Sequence, residues 1–391
     1  MRPCAFLKAR IRLPAYSGKE EGLKRMKTII KDISGIEEAA EIIRRGGLVA
    51  FPTETVYGLG GNALDPEASR KIYAAKGRPS DNPLIVHVAS IEQVKPLVSA
   101  FPEDARRLME TYWPGPLTII LPKSEIVPPE TTGGLGTVAI RCPENKCTLA
   151  FINAAGLPIA GPSANTSGKP SPTEAAHVMH DLDGKIDMIL DDGPVGIGVE
   201  STIIDLTGDR PTLLRPGAIT VEELSETLGK TVEIDPAIIA GSVSEGVHPK
   251  APGMKYRHYA PNARMSLAVT ALLKKKDFRV SAEERAEADR LVAARIRRET
   301  EAALEAGRKV GIICCRETEA EYAGAAADIQ VLGSRLDPLS MTHNLFRVLR
   351  KFDEDGVQEI FAESYSDRGV GFALMNRMRK AAGMSEIIIE Q

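Results

Sequence analysis

The chain has 391 residues, enough for two domains of ordinary size, each burying a core of its own. Its 43% hydrophobic and 26% charged residues are those of a globular protein, and a net charge of −3 with a pI of about 6.2 excludes a nucleic-acid coat protein with a basic surface. No apolar run approaches the roughly 20 residues that span a bilayer, and the five cysteines (Cys4, Cys142, Cys147, Cys314, Cys315) contain no C-x-x-C pair, which points to reduced thiols in the cytoplasm.

In chain order, residues 1–25 are basic, punctuated by Pro and Gly, and lack the apolar stretch of a signal peptide. They read as a dispensable extension ahead of Met26, where MKTIIKDISG looks like a fresh protein start. The spacing of Ile36, Ala39, Ala40, Ile42 and Ile43 predicts an amphipathic helix over 36–45, ended by Gly46-Gly47. A strand over 48–51 stops at Pro52. A helix over 66–76 follows, capped by Asp65 with Pro66 at its first position. Further strands are expected at 84–88, 117–121, 137–141, 159–160, 186–191 and 201–206, with helices at 105–112 and 149–155. This mixed spacing suggests an open, twisted α/β sheet, partly antiparallel.

From about Ile239 to Asn262 the sequence is rich in Gly, Pro, His and Tyr and has no period, so it reads as a linker. A second α/β unit begins near Met265. It alternates a charged helix (283–306), a strand (310–314), a helix (338–352), a strand (359–361), a helix (371–382) and a strand (386–389), which implies a smaller parallel sheet, Rossmann-like in outline. Cys314-Cys315 end a buried strand in that reading. The divisions are 1–25, a first domain over 26–238, a linker or lid over 239–262 and a second domain over 263–391.

Four clusters carry chemistry. The first, Phe51-Pro-Thr-Glu-Thr-Val-Tyr-Gly-Leu-Gly60-Gly61, packs hydroxyls, a carboxylate and glycines into what reads as a turn after a strand, where α/β sheets hold ligands; a glycine-rich turn with local hydrogen bonds reads equally well. The second is Lys76-Gly-Arg78-Pro-Ser-Asp-Asn82-Pro-Leu-Ile-Val-His87. A solvated charge pair is the plain alternative for Lys76 and Arg78, but Gly77, Pro79 and Pro83 stiffen the backbone around groups suited to phosphate. His87, taken alone, is a core histidine. The third joins Thr137-Val-Ala-Ile-Arg141 to Gly161-Pro-Ser163-Ala-Asn165-Thr-Ser167-Gly-Lys169-Pro-Ser171, a loop dense in hydroxyls, amides and glycines of the kind that holds phosphates. The fourth is Gly198-Val-Glu200-Ser201-Thr202, followed by Leu214-Arg215-Pro-Gly217.

No G-x-x-x-x-G-K-[ST] is present, and neither Gly58-Leu-Gly60 nor Gly369-Val-Gly371 completes a dinucleotide fingerprint. No nucleophile stands with its own base, so a covalent intermediate is not expected. Arg, Lys and hydroxyls without a nucleophile suit positioning and charge stabilisation, the means of phosphoryl and nucleotidyl transfer.

Taken together, PTETVYGLG, KGRPSDNPL, SANTSG, VESTI, LRPG and PGMKYRHYAP, in this order, resemble the threonylcarbamoyl-AMP synthase family. Residues 26–217 look like its YrdC-like catalytic domain, and the linker and C-terminal unit like its longer, two-domain branch. The resemblance implies that L-threonine, bicarbonate or CO2, and ATP give L-threonylcarbamoyl-adenylate and pyrophosphate, with the product passed to a separate transferase that modifies tRNA. It implies that Thr55, His87, Arg141, Gly161 and Ser201 hold threonine, and that Arg78, Asn82, Thr137, Ser163, Asn165, Ser171, Arg215 and Tyr256 hold ATP. Lys76 and Arg78 would be the catalytic cations, and Mg2+ would accompany ATP through its phosphates. No protein-held metal and no membrane association are expected. The rival is a YrdC-like module that grips RNA or tRNA without catalysis, which the pI weakens.

Overall fold

The computed structural model describes residues 27–240, 249–252, 258–270 and 281–389. The extension at 1–25 and Tyr256 lie outside the described residues.

The first sheet is built from β1 (Ile29–Lys31), β2 (Val49–Phe51), β3 (Gly58–Asn62), β4 (Ile85–His87), β5 (Leu117–Pro122), β6 (Thr137–Arg141), β7 (Ile159–Gly161), β8 (Met188–Leu190), β9 (Thr202–Asp205), β10 (Thr212–Arg215) and β11 (Glu233–Ile234). Their order is β1-β8-β2-β3-β7-β4-β6-β5-β9-β10-β11. Parallel and antiparallel pairs are intermixed, as the uneven strand and helix spacing predicts: β4 runs parallel to β6 but antiparallel to β7. On one face, helices Ile36–Arg44 and Lys146–Ala155 bury Ile42, Ile43 and Phe151 against Phe51. On the other, Ile72 and Leu108 pack on Leu59, Val86 and Ile140.

Helix Pro66–Lys76 shows how the sequence aims the second cluster. The Asp65 carboxylate accepts the Glu67 amide at 2.9 Å, Pro66 sets the first turn, and Gly77 at φ +62° stops the helix in the left-handed region. Lys76 and Arg78 therefore leave the helix end on a fixed turn.

The expected elements fall within a few residues of the observed ones, the usual uncertainty of element ends. The structure corrects one of them. The glycine-rich stretch read as a turn is strand β3, antiparallel to β2. Its glycines are there for space: a Cβ on Gly60 would lie 2.7 Å from Ile159 Cγ2 and 2.9 Å from the Phe51 ring. Additions that the sequence reading does not contain include strands β1, β10 and β11, helices Ala175–Leu182 and Val221–Leu228, and in the second unit the strands Arg264–Thr270 and Asp328–Val331.

The second sheet is wholly parallel, formed by β12 (Arg264–Thr270), β13 (Val310–Cys314), β14 (Asp328–Val331), β15 (Glu359–Glu363) and β16 (Glu386–Ile389) in the order β14-β13-β15-β12-β16. Helix Ala282–Glu305 covers one face through Val292, Ala293 and Ile296. Helices Pro338–Glu354 and Val370–Ala381 cover the other, and their core runs on into Val56, Val199 and Tyr259. The two sheets are thus joined by a shared apolar seam. Gly198 (φ +85°) sits at its tightest point, where a Cβ would meet the Thr342 carbonyl at 2.5 Å.

Gly60→Ala is expected to destabilise the fold by about 1–3 kcal/mol through overpacking against Phe51. Urea unfolding would check this; an unchanged midpoint would show that the ring has room to yield.

Candidate active site

The cleft lies on the first sheet where β4, β6 and β7 end near the loops after β2, β7 and β8. Among the described residues, Lys76, Arg78, Arg141 and Arg215 line it against one lining carboxylate, Glu200. Four cations around one carboxylate make a receptor for an anion of high charge.

Strand register sets one end. His87 and Arg141 are paired neighbours at the ends of β4 and β6. Arg141 is almost fully buried: Nη1 donates to Thr55 Oγ1 at 2.9 Å, Nε to the Gly115 carbonyl at 3.3 Å, and Nη2 lies 2.6 Å from Glu54 Oε2. The Glu54 contact is an ion pair without hydrogen-bond alignment, since neither Glu54 oxygen nor Arg141 Nη2 has an aligned partner. A ligand carboxylate can therefore take bonding capacity at Arg141 that Glu54 leaves unused.

His87 packs edge-on against Phe51 at 5.2 Å, and its Nδ1 lies 3.3 Å from the Ile159 carbonyl. A carbonyl only accepts, so the proton belongs on Nδ1 and Nε2 offers a lone pair. Burial, then the Arg141 charge, pushes its pKa down to about 3. His87 is thus a neutral hydrogen-bond acceptor rather than a base.

The other end gathers the phosphate candidates. Arg78 donates from Nε to the Asn82 carbonyl at 3.3 Å and from Nη2 to the Pro83 carbonyl at 3.1 Å. The offset that pairs Ile85 with Ala139 puts Thr137 level with Pro83. Thr137 therefore stands toward Arg78, at the opposite end of β6 from Arg141, and is not among the residues lining the cleft. Asn82 is buried, its Oδ1 without a partner.

Lys76 is 2% exposed, and its Nζ donates to the Ser163 and Asn165 carbonyls. Burial first, then Arg78, lowers its pKa well below the ordinary lysine value. Its ammonium shapes the loop over 163–171 from within. Asn165 ties the same loop, donating to the Thr166 carbonyl at 2.8 Å and the Lys169 carbonyl at 3.0 Å. Gly161 and Ser163 line the cleft, with Ser163 bridged to Gly58 of β3.

Arg215 closes the wall. Its Nε donates to the Ser201 carbonyl at 2.9 Å and Nη2 to Ser201 Oγ at 3.1 Å, and Ser201 Oγ also lies 2.7 Å from Thr118 Oγ1. Burial lowers the Arg215 pKa to about 10, so the group stays charged at neutral pH.

The sequence reading missed two arginines, both from the second domain. Arg377 is fully buried: Nε donates to Glu200 Oε2 at 3.0 Å, Nη1 to the Pro216 carbonyl at 2.6 Å and Nη2 to the Glu200 carbonyl at 3.3 Å. Glu200 Oε1 accepts from Ser171. Burial works to raise the Glu200 carboxyl, but the Arg377 and Arg215 charges outweigh it and hold the pKa below the usual range. Arg350 grips Asp181 through two nitrogens at 3.1 and 3.0 Å and donates to the Pro170 carbonyl at 2.6 Å. In the sequence both stand in amphipathic helix patterns, where an arginine reads as surface charge. The one available hint is Glu200, an acid in an otherwise apolar strand approach.

The linker residues on either side of 253–257 also reach the cleft. Arg215 Nη1 lies 3.5 Å from the Pro252 carbonyl, and the Ala260 amide donates to the Gly168 carbonyl at 3.0 Å. Tyr259, at φ +63°, stacks on Phe346 at 5.2 Å with the Arg377 guanidinium 5.7 Å from its ring centre. Among the described residues no group of His, Cys, Asp and Glu could hold a metal ion, and no helix is long and apolar enough to cross a membrane.

The site is a cation-lined cleft on the mixed sheet of an α/β protein, with the buried Arg141–Glu54 pair beside it. Residues 41–217 match the family model described as telomere recombination, and residues 219–383 match that of the threonylcarbamoyl-AMP synthase C-terminal domain. The chain is 47% identical to the threonylcarbamoyl-AMP synthase of Pyrococcus abyssi, over 89% of its own length and 94% of that protein's. It is 46% identical to the synthase of Bacillus subtilis, over 89% and 93%. The solved structure of P. abyssi Sua5 in complex with L-threonine superposes with a TM-score of 0.80 at 44% identity, covering 93% of this chain and 99% of that one. The chain belongs to the threonylcarbamoyl-AMP synthase family, enzymes of the nucleotidyltransferase type.

Two outcomes are expected. Arg377→Ala leaves Glu200 buried without its ion partner and should cost about 3–5 kcal/mol in urea unfolding, together with most pyrophosphate release. Arg377→Lys should keep the charge but lose the contacts to the two carbonyls, and fall between. Wild-type behaviour of both variants would show that the pair does not hold the site. The second concerns pH. Burial holds His87 and His258 down to about 3 and His177 down to about 4. Unfolded histidines titrate near 6.5, so below that pH the unfolded chain binds more protons than the folded one. Stability should therefore fall as pH drops from 7 to 5, by roughly 1–2 kcal/mol per histidine. A thermal midpoint that stays flat across this range would contradict the assignment of neutral, buried rings.

Proposed function

We propose that this chain condenses L-threonine, bicarbonate-derived CO2 and ATP into L-threonylcarbamoyl-adenylate and pyrophosphate, and that the cation-lined cleft is where it does so. The observation that carries this reading is the division of the cleft. Arg141, Thr55 and a neutral His87 form a group matched to a small amino acid; Arg78 and the Lys76-braced loop, with Arg215 across the sheet from Arg141, supply the cations matched to a triphosphate.

The threonine carboxylate meets Arg141, whose Nη2 is only ionically engaged. The lone pair on His87 Nε2 accepts from the amine or hydroxyl. Threonine's ammonium must first give a proton to solvent, because a ring with its pKa near 3 does not take it. The free amine then adds to carbon dioxide and loses a second proton, leaving a carbamate. A carbamate oxygen attacks the α-phosphorus in line, the bond from the α-phosphorus to the bridging oxygen breaks, and that oxygen leaves on pyrophosphate. Arg78, Arg215 and the amides and hydroxyls of the 163–171 loop offset the charge on both partners. The carboxylates near the cleft, Glu54 and Glu200, are each paired with an arginine. Magnesium would thus ride on the triphosphate oxygens and water, supplying charge neutralisation at the leaving group.

The cleft leaves about 50 Å³ of free space. That is room for a water or two, against roughly 300 Å³ or more for an ordinary ligand pocket. The segment carrying Pro252, His258 and Tyr259 has to move for ATP to enter, and it closes afterwards over a labile adenylate. The four described cysteines are free and buried, in keeping with a reducing cytoplasm. The adenylate is handed to a transferase that modifies tRNA; direct tRNA contact is not required for the synthetic step.

Incubation with ATP, threonine and bicarbonate should yield threonylcarbamoyl-adenylate by mass spectrometry and pyrophosphate in equal amount. Arg141→Ala should raise the threonine KM at least tenfold and leave the ATP KM near its starting value, whereas Arg78→Ala should abolish turnover. Absence of the adenylate with the intact chain, or an Arg141→Ala effect confined to ATP, would sink the assignment.

A further inference from the structure

The second sheet has a crevice of its own. From β13 the chain runs outward to β14; from β15 it runs the opposite way, across β12, to β16. The neighbours β13 and β15 therefore flank the point where the connections reverse, and in open parallel sheets ligands sit beyond the carboxyl ends of such strands. A cavity of about 270 Å³ lies there, between the N-terminal half of helix Ala282–Glu305 and the two helices of the opposite face.

Its lining is built. Glu363, the last residue of β15, is 4% exposed and accepts from the Cys315 amide at 3.1 Å, the Tyr322 hydroxyl at 2.9 Å and the Tyr365 hydroxyl at 3.3 Å. Thr318 bonds it as well, and the Arg335 charge acts on it, but these hydrogen-bonding partners are all neutral, so no cation is in hydrogen-bond contact with the buried carboxyl. Burial raises its pKa accordingly. Next to it, Ser364 is 9% exposed and its Oγ is buried without a hydrogen-bond partner. Arg285 and Arg335 line the same cavity, as do the apolar Val292, Met341 and Leu374. Arg335 is itself fixed, donating to both Asp289 oxygens at 2.8 and 2.9 Å and to Cys315 Sγ at 3.2 Å. Burial holds the Cys315 thiol up at about 11, which makes it a neutral neighbour rather than a nucleophile.

We propose that this cavity is a second, non-catalytic binding site that takes a free amino acid: its ammonium against Glu363 and Ser364, its carboxylate toward the lining guanidinium groups of Arg285 and Arg335, its side chain among Val292, Met341 and Leu374. An ammonium would be the first cation in hydrogen-bond contact with Glu363. The volume suits an amino acid and is below what a nucleotide needs. Because helices Pro338–Glu354 and Val370–Ala381 wall this cavity and also carry Arg350 and Arg377, which brace the cleft through Asp181 and Glu200, occupancy would act on turnover through those two arginines.

The test is calorimetric titration of the full chain with a panel of amino acids, threonine among them, repeated on Arg141→Ala, in which the proposed threonine site of the cleft is impaired. The expected result is a saturable heat for at least one of them, weakened about tenfold or more by Glu363→Gln and by Ala288→Leu, which grows into the cavity, and kept in Arg141→Ala. If Glu363→Gln does not fold, Ser364→Ala and Ala288→Leu carry the same comparison. No saturable heat in the millimolar range, or heat that survives Ala288→Leu, overturns the site. Equal binding of a diamine overturns the zwitterionic assignment, and Ala288→Leu-sensitive binding of AMP in its place overturns the ligand class.

Discussion

Arg377 and Glu200 form a buried ion pair that ties the two sheets together at the wall of the cleft. Neither charge is stable there alone, since an unpaired ion in the interior costs several kcal/mol. Arg377 comes from the second domain, Glu200 from the loop before β9, and Glu200 in turn holds Ser171. The Pro216 carbonyl, next to Arg215, accepts from the same guanidinium. One side chain of the second domain thus fixes three segments of the first: the loop over 163–171, the approach to β9 and the exit of β10. Arg350 repeats the device at Asp181 and Pro170. The second domain is in this sense a part of the catalytic site, although its own side chains do not line the cleft.

The same economy governs the remaining cations. A triphosphate needs concentrated positive charge, yet positive charge in a closed cleft is unstable before the ligand arrives. Each cation is therefore held by neutral oxygens: Lys76 by two loop carbonyls, Arg78 by the carbonyls of Asn82 and Pro83, Arg215 by Ser201. Carbonyls stabilise a cation without cancelling its charge, so the field of the cleft remains available to an anion. Arg141 differs in having a carboxylate, Glu54, beside it. That fits a ligand of single negative charge at that end, with a carboxylate pair that a zwitterion can enter from both sides.

Much of this was legible in the sequence, for definite reasons. Asp65-Pro66 and Gly77 are local signals, and a local signal fixes helix Pro66–Lys76 wherever it lies in the fold. The alternation of apolar strands with amphipathic helices after Met265 is what a parallel sheet requires. Strand β3 was not legible, because GLGGN has none of the residues that favour a pleated surface; it is a strand only since Phe51 on its neighbour needs the space. Arg350 and Arg377 were hidden for a similar reason. Each sits more than 160 positions from its partner, and no helical period distinguishes an arginine aimed at another domain from one aimed at water. His87 was ambiguous by composition and became defined by geometry, once the Ile159 carbonyl fixed its tautomer.

The linker resolves a conflict between access and protection. For the reaction proposed above, a cleft that leaves only about 50 Å³ free keeps water from the adenylate but also keeps ATP out. A rigid wall would serve one need and defeat the other. Tyr259 shows how both are met: its backbone is in the left-handed region, unfavourable for a side chain of this size, and it is held there by stacking on Phe346 and by the Arg377 charge against its ring. The closed position is therefore maintained by contacts to the second domain against a local backbone preference. Release of those contacts lets the strain favour opening. The residues that latch the linker, Phe346 and Arg377, stand on the same helices that brace the cleft and wall the cavity at the β13–β15 reversal. In the proposed reaction, access to the cleft is thereby coupled to the packing of the second domain.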